Sequence, residues 1–177
     1  DIAIFGKALG NGYAITSIIG IRSVMESSQN SFISSTFWTE KIGPAAALKV
    51  LEIMDNEKSW EKVTKLGGYL KKGWKKLADS HDLEIDIFGL DSLATFNFRS
   101  INDLKYKTYI GQEMLKHGYL GSTIFYASIK HDEKVLDNYL GFLDKVFKKI
   151  SNCEKDIESI DNLLEGRVCN NGFKRLN

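Results

Sequence analysis

Two stretches of this chain repeat their apolar residues at intervals of three and four, and the segment between them does not. The first carries Trp60, Val63, Leu66, Leu70, Trp74 and Leu77 on one stripe; the second carries Leu136, Leu140, Leu143, Val146, Phe147 and Ile150. Such spacing gives a helix one face that must be buried. In between, the period changes. Leu83 to Phe88 reads as a strand, and Ser92 to Phe98 alternates, with Leu93 and Thr95 on one face and Ala94, Phe96 and Phe98 on the other. Residues 103–116 are helical and stopped by Gly118, Thr123 to Ile129 is strand-like, and Asp132 stands where the last long helix wants a cap. The order helix, strand, strand, helix, strand, helix, joined by short turns, predicts a small antiparallel or mixed sheet covered by helices, of α/β or α+β class.

The upstream part is organised differently. Ile2-Ala3-Ile4-Phe5 has no polar face and reads as a short buried strand. Gly6-Lys7-Ala8-Leu9-Gly10-Asn11-Gly12 follows as a glycine-punctuated turn, and residues 16–21 as a second strand. Residues 22–34 are polar and Ser-rich, with one short helical stretch at most. A helical pattern starts near Thr39, and Pro44, the only proline, falls in its first turn, where a missing N–H costs little. Asp55-Asn56 are expected to break or bend that helix. A domain boundary near residue 56 separates 1–56 from a second domain, 57–152, with 153–177 as a C-terminal extension. The extension holds one helical segment near 154–165 and then a polar, aperiodic tail. The chain opens at Asp1 directly into a strand-like run, so it is expected to be a piece of something longer.

Composition narrows the function classes. The chain has 177 residues, 43% of them hydrophobic and 27% charged, the balance of a soluble globular protein. A net charge of +1 gives no general attraction to nucleic acid or membrane. The basic run Lys71-Lys72-Gly73-Trp74-Lys75-Lys76 lies in a helical pattern and reads as a solvated face. No apolar run reaches the roughly 18 residues of a membrane span. Cys153 and Cys169 have no metal-ligand spacing, a disulfide is not expected, and the setting is a reducing cytoplasm without a leader.

Three places could carry chemistry. Lys7 ends an apolar strand within a glycine-rich turn. Its apolar neighbours Phe5, Ala8 and Leu9 suggest partial desolvation, which frees an amine as a nucleophile; the alternative is a lysine in a surface turn. Thr36 closes Ser34-Ser35-Thr36 just ahead of a helical pattern. That suits either a phosphate at a helix N-terminus or a plain N-cap. His131 precedes Asp132-Glu133, and a polar cluster at a helix start accounts for it.

Residues 1–15, Asp1-Ile2-Ala3-Ile4-Phe5-Gly6-Lys7-Ala8-Leu9-Gly10-Asn11-Gly12-Tyr13-Ala14-Ile15, resemble the segment around the Schiff-base lysine of class-III aminotransferases, closest to the glutamate-1-semialdehyde aminomutase branch. About 29 residues on, Ser35-Thr36-Phe37-Trp38-Thr39-Glu40 and Gly43-Pro44-Ala45-Ala46-Ala47-Leu48 are similar to the family's threonine turn and the Ala-rich helix after it. Glu40 stands where many members have Asn, and Trp38-Thr39 where a Ser-Gly pair is usual. Ser128-Ile129-Lys130-His131-Asp132-Glu133 is similar to the stretch before the last long helix of the family's small domain. Ornithine- and GABA-type members place a carboxylate-clamping arginine near there. This chain has no arginine between Arg99 and Arg167.

The resemblance implies a fold-type I transferase dependent on pyridoxal 5′-phosphate (PLP), of which this chain is the C-terminal part: the end of the large domain, then the small α/β domain. It implies that Lys7 holds the coenzyme and acts as the proton-transferring base, and that Thr36 binds the coenzyme phosphate of the partner subunit in a homodimer. The implied substrate is a small amino or oxo acid, or an amino-aldehyde, undergoing transamination or intramolecular amino transfer. The partner of the pyridine nitrogen, the stacking aromatic and the main phosphate loop would lie before Asp1. Residues 1–177 alone are therefore expected neither to hold the coenzyme tightly nor to turn over. Two other readings stay open: a Schiff-base lyase working without PLP, and a non-catalytic small α/β interaction domain.

Overall fold

The computed structural model describes residues 1–170 and 172, and the chain divides into two compact units, one ending at Ser59 and the other starting at Trp60. The first unit opens with an antiparallel hairpin. Strand β1 (Ile2–Phe5) pairs with β2 (Ser17–Gly20) in the register Ile2 opposite Gly20 and Phe5 opposite Ser17. The expected burial of β1 is not observed: all four of its residues are exposed, Ile4 at 73%. Two strands alone have no second layer, so within this unit neither face is covered.

Helix α1 (Arg22–Met25) runs into a 3-10 segment over Glu26–Asn30. Helix α2 (Ile42–Glu57) carries Pro44 in its first turn. It continues through Asp55-Asn56, and Lys58, at φ 49°, ends it. The break predicted at Asp55-Asn56 therefore comes at Lys58. Gly43 and Ala47 are the buried residues of α2, while Ile42, Leu48 and Leu51 stay exposed.

The second unit holds the core. Its order is α3 (Ser59–Ser80), β3 (Ile85–Phe88), β4 (Leu93–Phe98), α4 (Asp103–Lys116), β5 (Ile124–Tyr126), α5 (Glu133–Glu154) and α6 (Ile160–Leu163). The three strands form one antiparallel sheet in the order β3-β4-β5. The alternation of β4 is realised: Ala94, Phe96 and Phe98 are buried. They meet Leu66, Leu70, Trp74 and Ala78 of α3, Tyr106, Ile110 and Met114 of α4, and Leu143, Phe147 and Ile150 of α5 in one cluster. Phe96 sits 4.7 Å from Trp74 and 5.9 Å from Phe147, centroid to centroid, and Phe98 lies 5.3 Å from Tyr106. These tilted and edge-on rings add to area burial by about 0.5–1.5 kcal/mol per pair.

Trp74 is wholly buried from within the basic run, while Lys71 pairs with Asp91 at 2.8 Å and Lys75 with Asp79. Lys72, Lys75 and Lys76 are exposed, as their pattern suggests, while Lys71 is half-buried. Strand β5 is shorter than the expected Thr123–Ile129, because Ser128 to His131 close into a turn, with His131 N–H on the Ser128 carbonyl at 3.0 Å. The helical segment read over 154–165 contracts to α6, and part of the polar tail lies outside the described residues. No helix among the described residues is long and apolar enough to cross a membrane.

Candidate active site

Lys7 stands two residues beyond β1, as the first residue of a single 3-10 turn, Lys7–Leu9. Its φ is 48°, in the left-handed region that lysine rarely enters. A non-glycine residue held there costs of order 1–3 kcal/mol and persists only where its surroundings fix it. Here the fixing is visible. Leu9 N–H donates to Gly6 O at 3.1 Å, Asn11 N–H to Lys7 O at 3.1 Å, and Tyr13 N–H to Gly10 O at 3.1 Å. Gly10 is buried under that last turn, where a Cβ would lie 2.1 Å from the Tyr13 carbonyl oxygen. No side chain larger than hydrogen fits at position 10 without moving the loop.

The lysine itself is exposed, and among the described residues no carboxylate pairs with it. The desolvation expected from Phe5, Ala8 and Leu9 is not present in this unit, since Phe5 and Ala8 are exposed and do not fold over the amine. What the turn provides is a strained backbone that holds an accessible Nζ.

Thr36 lies in a turn spanning residues 36–39, closed by Glu40 N–H on Phe37 O at 3.2 Å. Helix α2 begins six residues later, so Thr36 is neither its N-cap nor at its dipole end. That place is taken by Glu40. Its Oε1 accepts from Ile42 N–H at 2.7 Å and its Oε2 from Gly43 N–H at 3.1 Å. A carboxylate over the first free N–H groups satisfies the donors and complements the helix dipole together. The threonine side chain is exposed, and no hydrogen bond among the described residues engages its hydroxyl. No hydrogen bond joins it to Lys7 among those residues.

The second unit contains a separate cavity of about 270 Å³ whose walls include Tyr119, Phe125, Tyr126, His131, Leu136 and Tyr139. His131 Nδ1 accepts from Ser128 N–H at 3.1 Å, so in the neutral ring Nε2 carries the proton. Its ring tilts against Phe125 at 5.1 Å. Burial pushes the Tyr139 phenol up to about 12, keeping it a neutral hydroxyl. A polar cluster at a helix start accounts for His131 in the sequence but not for its aromatic surround. The signal lies in Tyr119, Phe125 and Tyr126 falling within eight residues, the first just after Gly118 and the others in the short strand that follows Gly121. Asp132 caps α5 as expected, accepting from Val135 N–H at 2.8 Å. Arg99 is committed to Asp86, at 2.5 and 2.8 Å through two of its nitrogens.

Comparison with known proteins places these elements in context. The family pattern of Aminotransferase class-III matches residues 1–130. The 5-aminovalerate aminotransferase DavT of Pseudomonas aeruginosa is 30% identical over 93 residues, 52% of this chain and 22% of that protein. The glutamate-1-semialdehyde 2,1-aminomutase of Methanococcus maripaludis is 27% identical over 167 residues, 85% of this chain and 39% of that one. Among solved structures, the internal aldimine form of the Sphingopyxis sp. MTA144 FumI protein superposes with a TM-score of 0.78 at 21% identity, covering 93% of this chain and 40% of that chain. The ornithine delta-aminotransferase of Plasmodium falciparum gives 0.72 at 22% identity, covering 86% and 40%. The chain spans well under half the length of these relatives.

Proposed function

The chain belongs to the class-III aminotransferases, and from that premise we propose that it is the C-terminal part of a PLP-dependent enzyme in which Lys7 holds the coenzyme. The fold is that of the fold-type I transaminases. The observation that carries the reading is the left-handed turn at the end of β1, which presents an accessible amine, unpaired among the described residues, at the lysine of the family motif. The residues present fit the group: an amine for its aldehyde at Lys7, a loop at Gly10 too close for any Cβ, and a free hydroxyl at Thr36 for a phosphate.

When bound, PLP supplies an aldehyde that accepts an amine and a ring that takes up the electron pair released as a proton leaves carbon. Lys7 would hold the coenzyme through Nζ, and the same amine, when free, would take the proton from the amine-bearing carbon of the substrate and return it at the new position. Thr36 would donate its hydroxyl to the phosphate of the partner subunit's coenzyme in a homodimer. Residues 1–56 are the end of the coenzyme-binding domain, 57–152 the small domain and 153–177 its extension. Residues 1–177 by themselves are expected not to turn over.

Within the family we place the chain nearer the aminomutase-like branch, acting on a small amino or oxo acid or an amino-aldehyde in the cytoplasm. Two observations favour this. The sequence has no arginine between Arg99 and Arg167, and Arg99 is already occupied by Asp86. The aminomutase similarity also extends over more of the chain than the 5-aminovalerate aminotransferase similarity does.

Borohydride reduction of the intact protein loaded with PLP, followed by peptide mapping, tests the assignment. A pyridoxyl adduct on Lys7 is expected. An adduct on another lysine, or full activity of Lys7→Ala with coenzyme supplied, overturns it. Turnover of an amino-aldehyde without an external amino donor separates aminomutase from aminotransferase.

A further inference from the structure

Helix α4 is covered on both sides. Tyr106, Tyr109, Ile110 and Met114 enter the core, yet no residue from Asn102 to Met114 is exposed. The outer side is covered by the chain that follows α5. Asp161 pairs with Lys105 at 2.7 Å. The Gln112 amide donates to Leu163 O at 2.9 Å and accepts from Glu165 N–H at 2.8 Å, matching two backbone groups where the chain leaves α6. Glu165 also meets Lys116 at 2.6 Å. The chain then turns back, and Cys169 N–H donates to Thr108 Oγ1 at 2.9 Å. Lys105, Thr108, Gln112 and Lys116 are spaced three and four apart, one stripe of the helix. Ile160, 5% exposed, is the apolar pin of the segment, and Glu158 reaches Lys149 of α5 at 2.6 Å.

We propose that residues 155–170 are a latch on α4, which opens as a unit while the rest of the second unit stays folded and, on opening, bares the Lys105–Lys116 stripe. The contacts differ in kind from those of the core. Apart from Ile160 and the partly buried Leu163 and Leu164, they are surface ion pairs and single hydrogen bonds, each worth little. The helices beneath are held by the aromatic cluster. Segments fastened in this way open at lower free energy than the core. The Gln112 amide is the clasp, because among the described residues it is the one side chain of α4 that hydrogen-bonds two backbone groups of the latch. The inference is independent of the chemistry assigned to Lys7.

The two cysteines report the two levels. Cys169 lies within the latch and Cys153, 8% exposed, within the core. Thiol alkylation of the intact protein across a denaturant series, read by peptide mass mapping against the fully denatured chain, measures each. Cys169 is expected to become reactive at lower denaturant than Cys153. In Gln112→Ala its native-state labelling rate is expected to rise by about tenfold or more, for two lost hydrogen bonds, with Cys153 unchanged. Three results overturn the latch: Cys169 and Cys153 yielding together in the wild type, Cys169 as reactive in the native wild type as in the denatured chain, or an unchanged Cys169 rate in a folded Gln112→Ala. The wild-type series decides the matter even where the variant unfolds.

Discussion

Glu40 turns its carboxylate back over the first turn of α2, its Oε1 2.7 Å from the backbone nitrogen of Ile42. Position 40 is where the family often has Asn, and here the longer side chain caps the helix that follows the threonine turn. Glu40→Ala is expected to cost about 0.5–2 kcal/mol of stability. Denaturant unfolding checks this, and Glu40→Gln should recover part of the loss by keeping an acceptor while dropping the charge.

Gly10→Ala tests whether the turn after Lys7 matters for the lysine. The added Cβ would meet a backbone oxygen at 2.1 Å, so the loop must shift. A stability loss of about 1–3 kcal/mol is expected, as for other over-packed sites. The yield of reduced coenzyme adduct on Lys7, measured at fixed PLP, is expected to fall although the amine is intact. An unchanged yield would mean that the loop conformation is irrelevant to capture.

Phe147 joins α5 to the sheet through Phe96 and Phe98, with centroids at 5.9 and 5.5 Å. Phe147→Ala is expected to lower stability by about 3–5 kcal/mol, the range for deleting a buried ring. Thermal or denaturant melts of the intact protein give the number.

Acid should loosen the segment after α5. The Lys149 ammonium hydrogen-bonded to Glu158 holds its carboxyl below the ordinary 4.5, partial desolvation working the other way and losing. Glu113 is also lowered: burial acts to raise it, but Lys116 and the Gln112 amide outweigh burial. Both values are depressed on folding. Their contribution is therefore complete above pH 4.5 and is lost as pH falls through the lower folded values. Hydrogen exchange of the Cys169 amide, corrected for its intrinsic rate, is expected to lose protection below that pH and hold it above.

Much of the second unit was legible because its signals are local. The alternation in β4, the stripe of α5 and the Asp132 cap each depend on a few neighbouring residues, and each appears in place. The misreadings share a cause. Thr36 looked like a helix start because Ser and Thr are common caps, but a glutamate four residues on reaches the same N–H groups. β1 looked buried and Lys7 desolvated because their neighbours are apolar. Burial, however, depends on what packs across space, and neither is covered within its unit. The Gln112 contacts join residues more than 50 positions apart, a separation at which no spacing rule operates.

Helix α3 passes so close to the loop between β3 and β4 that a Cβ on Gly67 would lie 1.6 Å from the Asp91 carbonyl oxygen. With Gly67, Gly68 and Gly73 in 22 residues, α3 has a poor intrinsic tendency to coil up alone, each glycine forfeiting about 1 kcal/mol relative to alanine. The expected consequence is kinetic: α3 should gain its turns on docking rather than ahead of it, and low φ-values for substitutions such as Leu70→Ala would check this.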